Sequence, residues 1–138
     1  MCIDFVYDGE LNLDLDILKG IFVLLKKDSL FAENAECCVK FTDDMTIKGL
    51  NQTYRGKDAV TDVLTFDCEM KEVPFIGDIV INLEQADRQK GDSPLMIEII
   101  RLFLHALLHL AGMDHLTKVD KEKMTIYENK YNDFLTKE

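Results

Sequence analysis

The three histidines of this protein lie close together, in the stretch HALLHLAGMDH. His105 and His109 are four positions apart, so on an α-helix they would share one face, with Cβ atoms about 5–6 Å apart. Gly112 allows the chain to leave the helix in a left-handed conformation, after which His115 can return to the same point. Three imidazoles without a fourth protein ligand are typical of a catalytic zinc site, in which water takes the remaining position. The spacing therefore predicts one Zn²⁺ ion held by three histidines and water, although Ni²⁺ and Cu²⁺ would also bind such a set well.

The residues before the histidines predict the helix that presents them. Ser93 is a good capping residue and Pro94 is favoured in a first helical turn. Between these residues and Gly112, the polar side chains of Glu98 and Arg101 fall in one narrow stripe with the histidines, and the rest of the circumference is apolar. We expect a central buried helix rather than a membrane span, because charged side chains interrupt the apolar run.

The same histidine spacing occurs in the metzincin peptidases, whose signature is H-E-x-x-H-x-x-G-x-x-H. The glutamate of that signature is the general base that accepts the proton of the attacking water. Ala106 occupies its position here, which weakens a peptidase interpretation without affecting the ligands. A helix whose histidines bind no metal is a further interpretation, and the ligand spacing of all three histidines makes it the weaker one.

Three segments of the sequence resemble the YbeY family of bacterial rRNA maturation endoribonucleases. HALLHLAGMDH is similar to the family signature H-G-x-L-H-L-x-G-Y-D-H. LNQTYRGKDAVTDVLTF, residues 50–66, is similar to L-N-x-x-Y-R-x-K-D-x-P-T-D-V-L-S-F, and GDIVINLEQA, residues 77–86, is similar to the G-D-I-x-I-S segment. The departures are Ala106 for glycine, Met113 for tyrosine, Val60 for proline and Thr65 for serine. They remove no proposed ligand, and they affect the rigidity of a loop and the closeness of packing at the helix.

This resemblance implies a zinc-dependent endoribonuclease that cuts single-stranded RNA in 16S rRNA 3′-end maturation and in ribosome quality control. It implies that His105, His109 and His115 hold the metal and that Arg55 is the catalytic residue. The planar guanidinium suits phosphate oxygens and the charge that develops on them during reaction. Without the resemblance, the charged loop around Arg55 would be taken for a solvated turn. The nucleophile, either metal-bound water or the RNA 2′-hydroxyl, stays open.

The implied partners are rRNA and the small ribosomal subunit, with a ribosomal protein or an assembly GTPase as a further candidate and no membrane. The alternative that is not an enzyme is a non-catalytic, metal-bearing ribosome assembly factor. The net charge of −10 repels polyanions, so substrate capture would depend on the ribosome or a protein partner and on a local basic surface. Candidates for that surface are Lys40, Lys48, Arg55, Lys57, Arg88, Lys90 and Arg101.

The apolar periodicities predict an α+β fold with about four strands and about five helices, in one domain spanning residues 1–138. The helices would surround a central buried metal-binding helix, in a zincin-like arrangement. Predicted strands lie near residues 3–7, 37–41, 62–66 and 77–82. Predicted helices begin at Asp14, at Thr42 or Asp43, near 83, at Ser93, and at Thr117 with Asp120 completing a capping box. The second of these helices would direct Ile47, Leu50 and Tyr54 inward.

The amino-terminal residues lack the basic and apolar segments of a signal peptide, so we expect a cytoplasmic protein. The four cysteines show no C-x-x-C spacing and are expected to be reduced, mostly buried thiols.

Overall fold

The computed structural model describes residues 1–5, 13–70, 72–113 and 118–136. Within these residues, the predicted α+β class with four strands and five helices is confirmed. The strands are β1 (Cys2–Phe5), β2 (Glu36–Thr42), β3 (Val63–Asp67) and β4 (Phe75–Asn82). The helices are α1 (Leu15–Lys27), α2 (Asp44–Arg55), α3 (Leu83–Gln89), α4 (Leu95–Leu110) and α5 (Lys118–Thr136). His115 and Thr117 lie outside the described residues.

The four strands form one sheet in the order β1-β2-β4-β3. The first three of these run parallel, and β3 lies antiparallel to β4 at the edge. Parallel strands are usually covered on both faces and have continuous apolar sequences, as the run Ile79–Ile81 in β4 does. The edge strand β3 follows α2 directly, so the loop between them lies at the open side of the sheet.

The alternating side chains of β4 serve two separate cores. Ile79 and Ile81 pack with α1 and α4 in the larger cluster, in which Phe103 and Leu107 of α4 are completely buried. Val80 points to the other face, where it packs against α2 in a smaller cluster with Leu64 of β3 and Ile47 of α2. The histidine helix α4 is therefore fixed by the main core, whereas α2 is attached by a small one.

Two details of the helices differ from the sequence-based expectation. Ser93 is not the cap of α4, because Pro94 is still extended (ψ 148°) and the helix begins one residue later. Tyr54, predicted to point inward, is 66% exposed, and its ring meets the edge of Phe66 at 5.4 Å between centroids. The reason is that Phe66 belongs to β3, the last strand of the sheet, so the end of α2 has no further strand to pack on.

The described cysteines are all free thiols. Cys37 is buried in the main core, and this burial raises the pKa of its thiol to about 12. Cys2 is exposed, and of the four thiols only Cys37 is fully buried, so the expectation of mostly buried thiols is met in part. As for the membrane, no helix in the described part of the chain is long and apolar enough to cross it.

Candidate active site

A cleft of about 280 Å³ lies between α4, the end of α2 and the edge strand β3. His105 and His109 of α4 line it together with Arg55, so the structure brings these three predicted site residues into one cleft. His115, the third predicted ligand, lies outside the described residues. The remaining lining residues are Asn51, Lys57, Thr61, Val63, Leu64, Thr65 and Ala106.

The polar stripe predicted on α4 is present, and its exposure varies along the helix. Glu98 is buried, Arg101 is exposed, His105 is half-buried and His109 is exposed at the cleft. Side chains on the other faces, such as Phe103, are fully buried. The apolar faces therefore hold the helix in place, and the histidines are presented without contributing to the core.

α4 ends with the backbone turn that the sequence predicts. Gly112 has a positive φ of 96°, and its N–H donates to the carbonyl of His109 at 3.0 Å. The N–H of Met113 donates to the carbonyl of Leu108 at 3.1 Å, which completes the pair of bonds typical of a glycine-terminated helix. The helix thus ends at Leu110, one residue after His109, and the chain turns at Gly112.

Arg55 is the last residue of α2, which ends at Gly56 in the left-handed conformation (φ 68°). Its Nη2 donates to the backbone carbonyl of Thr65 in β3 at 2.6 Å. Its guanidinium also lies over the ring of Phe66, 5.8 Å from the ring centroid. These two contacts orient the guanidinium against the edge of the sheet, with donors left over beyond the one that Thr65 accepts.

Two buried asparagines, Asn51 and Asn82, fix the loop that joins α2 to β3. The side-chain amide of Asn51 donates to the carbonyl of Ala59 at 2.9 Å, and that of Asn82 donates to the carbonyl of Thr61 at 3.1 Å. The side-chain oxygen of Asn82 also accepts from the backbone N–H of Glu84, so it caps α3. Sequence analysis did not single out these residues. The available signal was an asparagine that ends an apolar strand, a position where it must find partners if buried.

A chain of polar side chains connects the loop to α4. Gln89 of α3 donates to Asp62 at 3.1 Å and to the buried Glu98 at 2.7 Å. Arg101 completes the chain with two hydrogen bonds to Glu98, and these bonds are the main cause that raises the pKa of Arg101. The charges of Asp62 and Glu128 add to that rise. The loop and the histidine helix are therefore held in one network.

His105 also contacts a residue that does not line the cleft. Its Nδ1 lies 3.3 Å from Oε1 of Glu128 on α5. Each of these two side chains is about one-third exposed (34% and 33%). An ionised carboxylate accepts hydrogen bonds, so this contact favours the tautomer of His105 in which Nδ1 carries the hydrogen.

The basic surface expected around the site is only partly formed. Arg55 and Lys57 line the cleft, whereas Lys40 lines a separate groove on the α2 face of the sheet. The other four residues point to neighbouring carboxylates, because the chain is rich in acids close to each base. These ion pairs are Lys48–Asp58, Arg88–Asp44, Lys90–Asp87 and Arg101–Glu98.

Two of the three side chains predicted to hold the metal line the cleft. His105 and His109, one helical turn apart, offer two imidazoles to the same space. No cluster of three potential ligands occurs among the described residues, which do not include His115. The donor set is imidazole, a ligand type that suits zinc.

Comparison with known proteins places this chain in a family. The model of the family described as endoribonuclease YbeY matches residues 12–136. The chain is 40% identical to endoribonuclease YbeY of Persephonella marina over 72% of this chain and 69% of that protein. It is 34% identical to endoribonuclease YbeY of Macrococcus caseolyticus over 90% of this chain and 88% of that one. The solution structure of a Thermotoga maritima protein superposes with a TM-score of 0.63 at 26% identity, covering 98% and 93% of the two chains.

Proposed function

This chain belongs to the endoribonuclease YbeY family, and from that premise and the geometry of the cleft we propose that it is a zinc-dependent endoribonuclease that matures the 3′ end of 16S rRNA. The observation that carries the proposal is that Arg55 lines the same cleft as His105 and His109. A guanidinium and two imidazoles in one cleft combine a phosphate-binding group with metal ligands, and this combination suits metal-dependent RNA cleavage.

Arg55 holds the phosphate and stabilises the charge that develops on it. Its anchoring to Thr65 at 2.6 Å and to the ring of Phe66 removes much of its rotamer freedom before substrate binds. Preorganised donors of this kind stabilise a transition state more effectively than mobile ones, because they need not reorganise during the reaction. Lys57, which lines the same cleft, adds a second positive charge for the RNA backbone.

His105, His109 and His115 would hold the metal, the first two from adjacent turns of α4 and the third after Gly112. When bound there, zinc would supply Lewis-acid chemistry toward a phosphoryl oxygen and would lower the pKa of water. The role of α4 is to keep the two imidazoles at a fixed separation, since its buried faces prevent the helix from shifting.

The cleft is unsuited to a metzincin-like peptidase. The position of the peptidase glutamate is occupied by Ala106, which is buried against the core. No carboxylate occurs among the described residues that line the cleft, so no general base for peptide hydrolysis replaces it. The charged lining residues are instead Arg55 and Lys57, and positive charge favours a polyanionic substrate.

Small-subunit rRNA and the ribosome, in the cytoplasm, are the proposed partners, with a ribosomal protein or an assembly GTPase as a further one. The net charge of −10 supports this, because the protein as a whole repels free RNA. Only a locally basic cleft, brought to the RNA by a partner, overcomes that repulsion.

The experiment is a substrate comparison on one zinc-loaded preparation. We expect single-turnover cleavage of a single-stranded RNA containing the 16S 3′-end precursor, its loss with a chelator, and its return with added Zn²⁺. Casein should not be hydrolysed under any of these conditions. Hydrolysis of casein would favour the peptidase, and zinc binding without RNA cleavage would favour a non-catalytic assembly factor.

A further inference from the structure

The carboxylate of Glu128 lies beside the histidine pair although it does not line the cleft. Glu128 is on α5, 23 residues after His105, and its Oε1 faces the His105 Nδ1 at 3.3 Å. Neither the metal ligand spacing nor the apolar periodicity of α5 assigns a function to this residue.

The position of Glu128 is fixed by the packing of α5. Met124, one helical turn earlier, is completely buried in the main core, and Tyr127 packs against the same cluster. On the solvent side, Nζ of Lys130 donates to Asp28 at the end of α1, at 2.7 Å. These contacts therefore hold α5, which carries Glu128, in its place against the rest of the fold.

We infer that Glu128 is a positioning residue for the metal: it accepts the Nδ1–H of His105 and so directs the Nε2 lone pair of that ring to the ion. This inference rests on the proposed metal site. Neutral imidazole carries one hydrogen, so a carboxylate acceptor at Nδ1 leaves Nε2 as the ligating nitrogen. Such a carboxylate also restricts rotation of the ring and increases the electron donation of its ligating nitrogen, and losing it typically weakens metal binding about 10- to 100-fold.

The competing interpretation is that Glu128 makes a partly exposed ion pair that contributes little to stability. Exposed ion pairs contribute about 0–1 kcal/mol to the free energy of unfolding, and their loss would not change metal affinity. The two interpretations differ in one measurable quantity, the affinity for zinc. A purely structural pair leaves zinc affinity unchanged and has at most a small effect on the unfolding of metal-free protein, whereas a positioning residue changes zinc affinity.

The test uses Glu128→Ala and Glu128→Gln in the full chain, with Glu122→Ala as the matched control because Glu122 is an exposed carboxylate of the same helix. Zinc affinity is measured by competition with a chromophoric chelator, and the visible spectrum of Co²⁺-substituted protein reports the ligand geometry. We expect zinc affinity to fall about 10- to 100-fold in Glu128→Ala, less in Glu128→Gln, and not in Glu122→Ala.

Metal-free unfolding temperatures of the three variants should stay close to that of the wild type. Wild-type zinc affinity and an unchanged Co²⁺ spectrum in Glu128→Ala would overturn the inference while leaving the proposed metal site intact. A wild-type protein that binds neither Zn²⁺ nor Co²⁺ would instead overturn the metal site, and the inference with it.

Discussion

At the scale of single residues, Arg55 is held in place before any substrate arrives. One of its nitrogens donates to the Thr65 carbonyl, and its plane lies over Phe66. A guanidinium can make such an anchoring bond and still present a flat pair of donors to a phosphate, whereas an ammonium is a single point of charge. In the proposed function, the contribution of Arg55 to phosphate binding therefore depends on its shape as well as its charge.

Arg55→Lys should reduce the rate of single-turnover RNA cleavage about 100- to 1000-fold, the typical effect of losing one preorganised electrostatic group. Zinc content and unfolding temperature should match the wild type, because the change touches no metal ligand and no core residue. Lys48→Arg, on the exposed face of the same helix, is the control and should cleave normally. Cleavage by Arg55→Lys at the wild-type rate would show that Arg55 is an ordinary solvated residue.

At the scale of elements, the cleft depends on α2, α4 and the edge strand β3, and the contacts that position them were predictable to different degrees. The helices α1, α2 and α4 were predicted from local apolar periodicity and from aspartate, proline and glycine residues that mark helix ends. They lie close to the predicted residues. Asn82 and Glu128 were not predictable in this way. Asn82 contacts Thr61, 21 positions away in the sequence, and Glu128 contacts His105, 23 positions away. Such long-range contacts depend on the topology of the sheet and on the docking of α5.

The cap of α2 should contribute measurably to stability. The carboxylate of Asp43 accepts the backbone N–H of Thr46 at 2.9 Å, so Asp43→Ala should lower the free energy of unfolding by about 1 kcal/mol. Asp43→Asn retains an accepting oxygen and should cost much less. Chemical denaturation of the three proteins at neutral pH measures both effects, and equal losses in the two variants would contradict the assignment.

The same end of α2 should make the protein sensitive to acid. The hydrogen bond from Thr46 lowers the pKa of Asp43, and the Arg88 guanidinium, followed by the amide of Asn82, lowers the pKa of Asp44. Since the folded pKa values are below those of the unfolded chain, this stabilisation is complete above a pH of about 4 and is lost as the pH falls through the folded values. Unfolding measured from pH 6 to pH 2 should show a smaller acid-dependent loss in Asp43→Ala than in the wild type.

Gly77 is the position where β4 can least accept a side chain. Its φ of 152° favours glycine, and a Cβ there would run into the carbonyl oxygen of Phe66 and approach Leu110 of α4 to 3.0 Å. Gly77→Ala should therefore destabilise the protein by about 1–3 kcal/mol. Gly49→Ala, in the open interior of α2, is the control and should be neutral or stabilising. A Gly77→Ala variant as stable as the wild type would show that β3 is free to move away from β4.

At the scale of the whole molecule, the acidic surface and the basic cleft have opposite effects on RNA. Of the seven bases expected near the site, four are paired with acids outside the cleft, and Arg55 and Lys57 are the two that line it. Among these candidates, the positive charge available to a phosphate beside the histidines therefore comes from Arg55 and Lys57. Binding of free RNA should be weak and only mildly dependent on salt.

Two phosphate contacts to a single strand predict a slope of about −1.4 when the logarithm of the association constant is plotted against the logarithm of salt concentration. Lys57→Gln should reduce that slope by about 0.7, and Lys90→Gln, whose lysine pairs with Asp87 outside the cleft, should not change it. Fluorescence anisotropy with a short RNA at several salt concentrations gives the slopes. A much steeper slope would mean that RNA follows a basic surface beyond the cleft.

The most direct test of the central claim measures zinc content and RNA cleavage on the same samples of wild type and His109→Ala. His109 is exposed, so its removal leaves the core intact and the variant should stay folded. We expect one zinc ion per chain and cleavage of single-stranded rRNA precursor for the wild type, and neither stoichiometric zinc nor cleavage for the folded variant. Full zinc occupancy with wild-type cleavage in His109→Ala would contradict the assignment of His109 as a metal ligand.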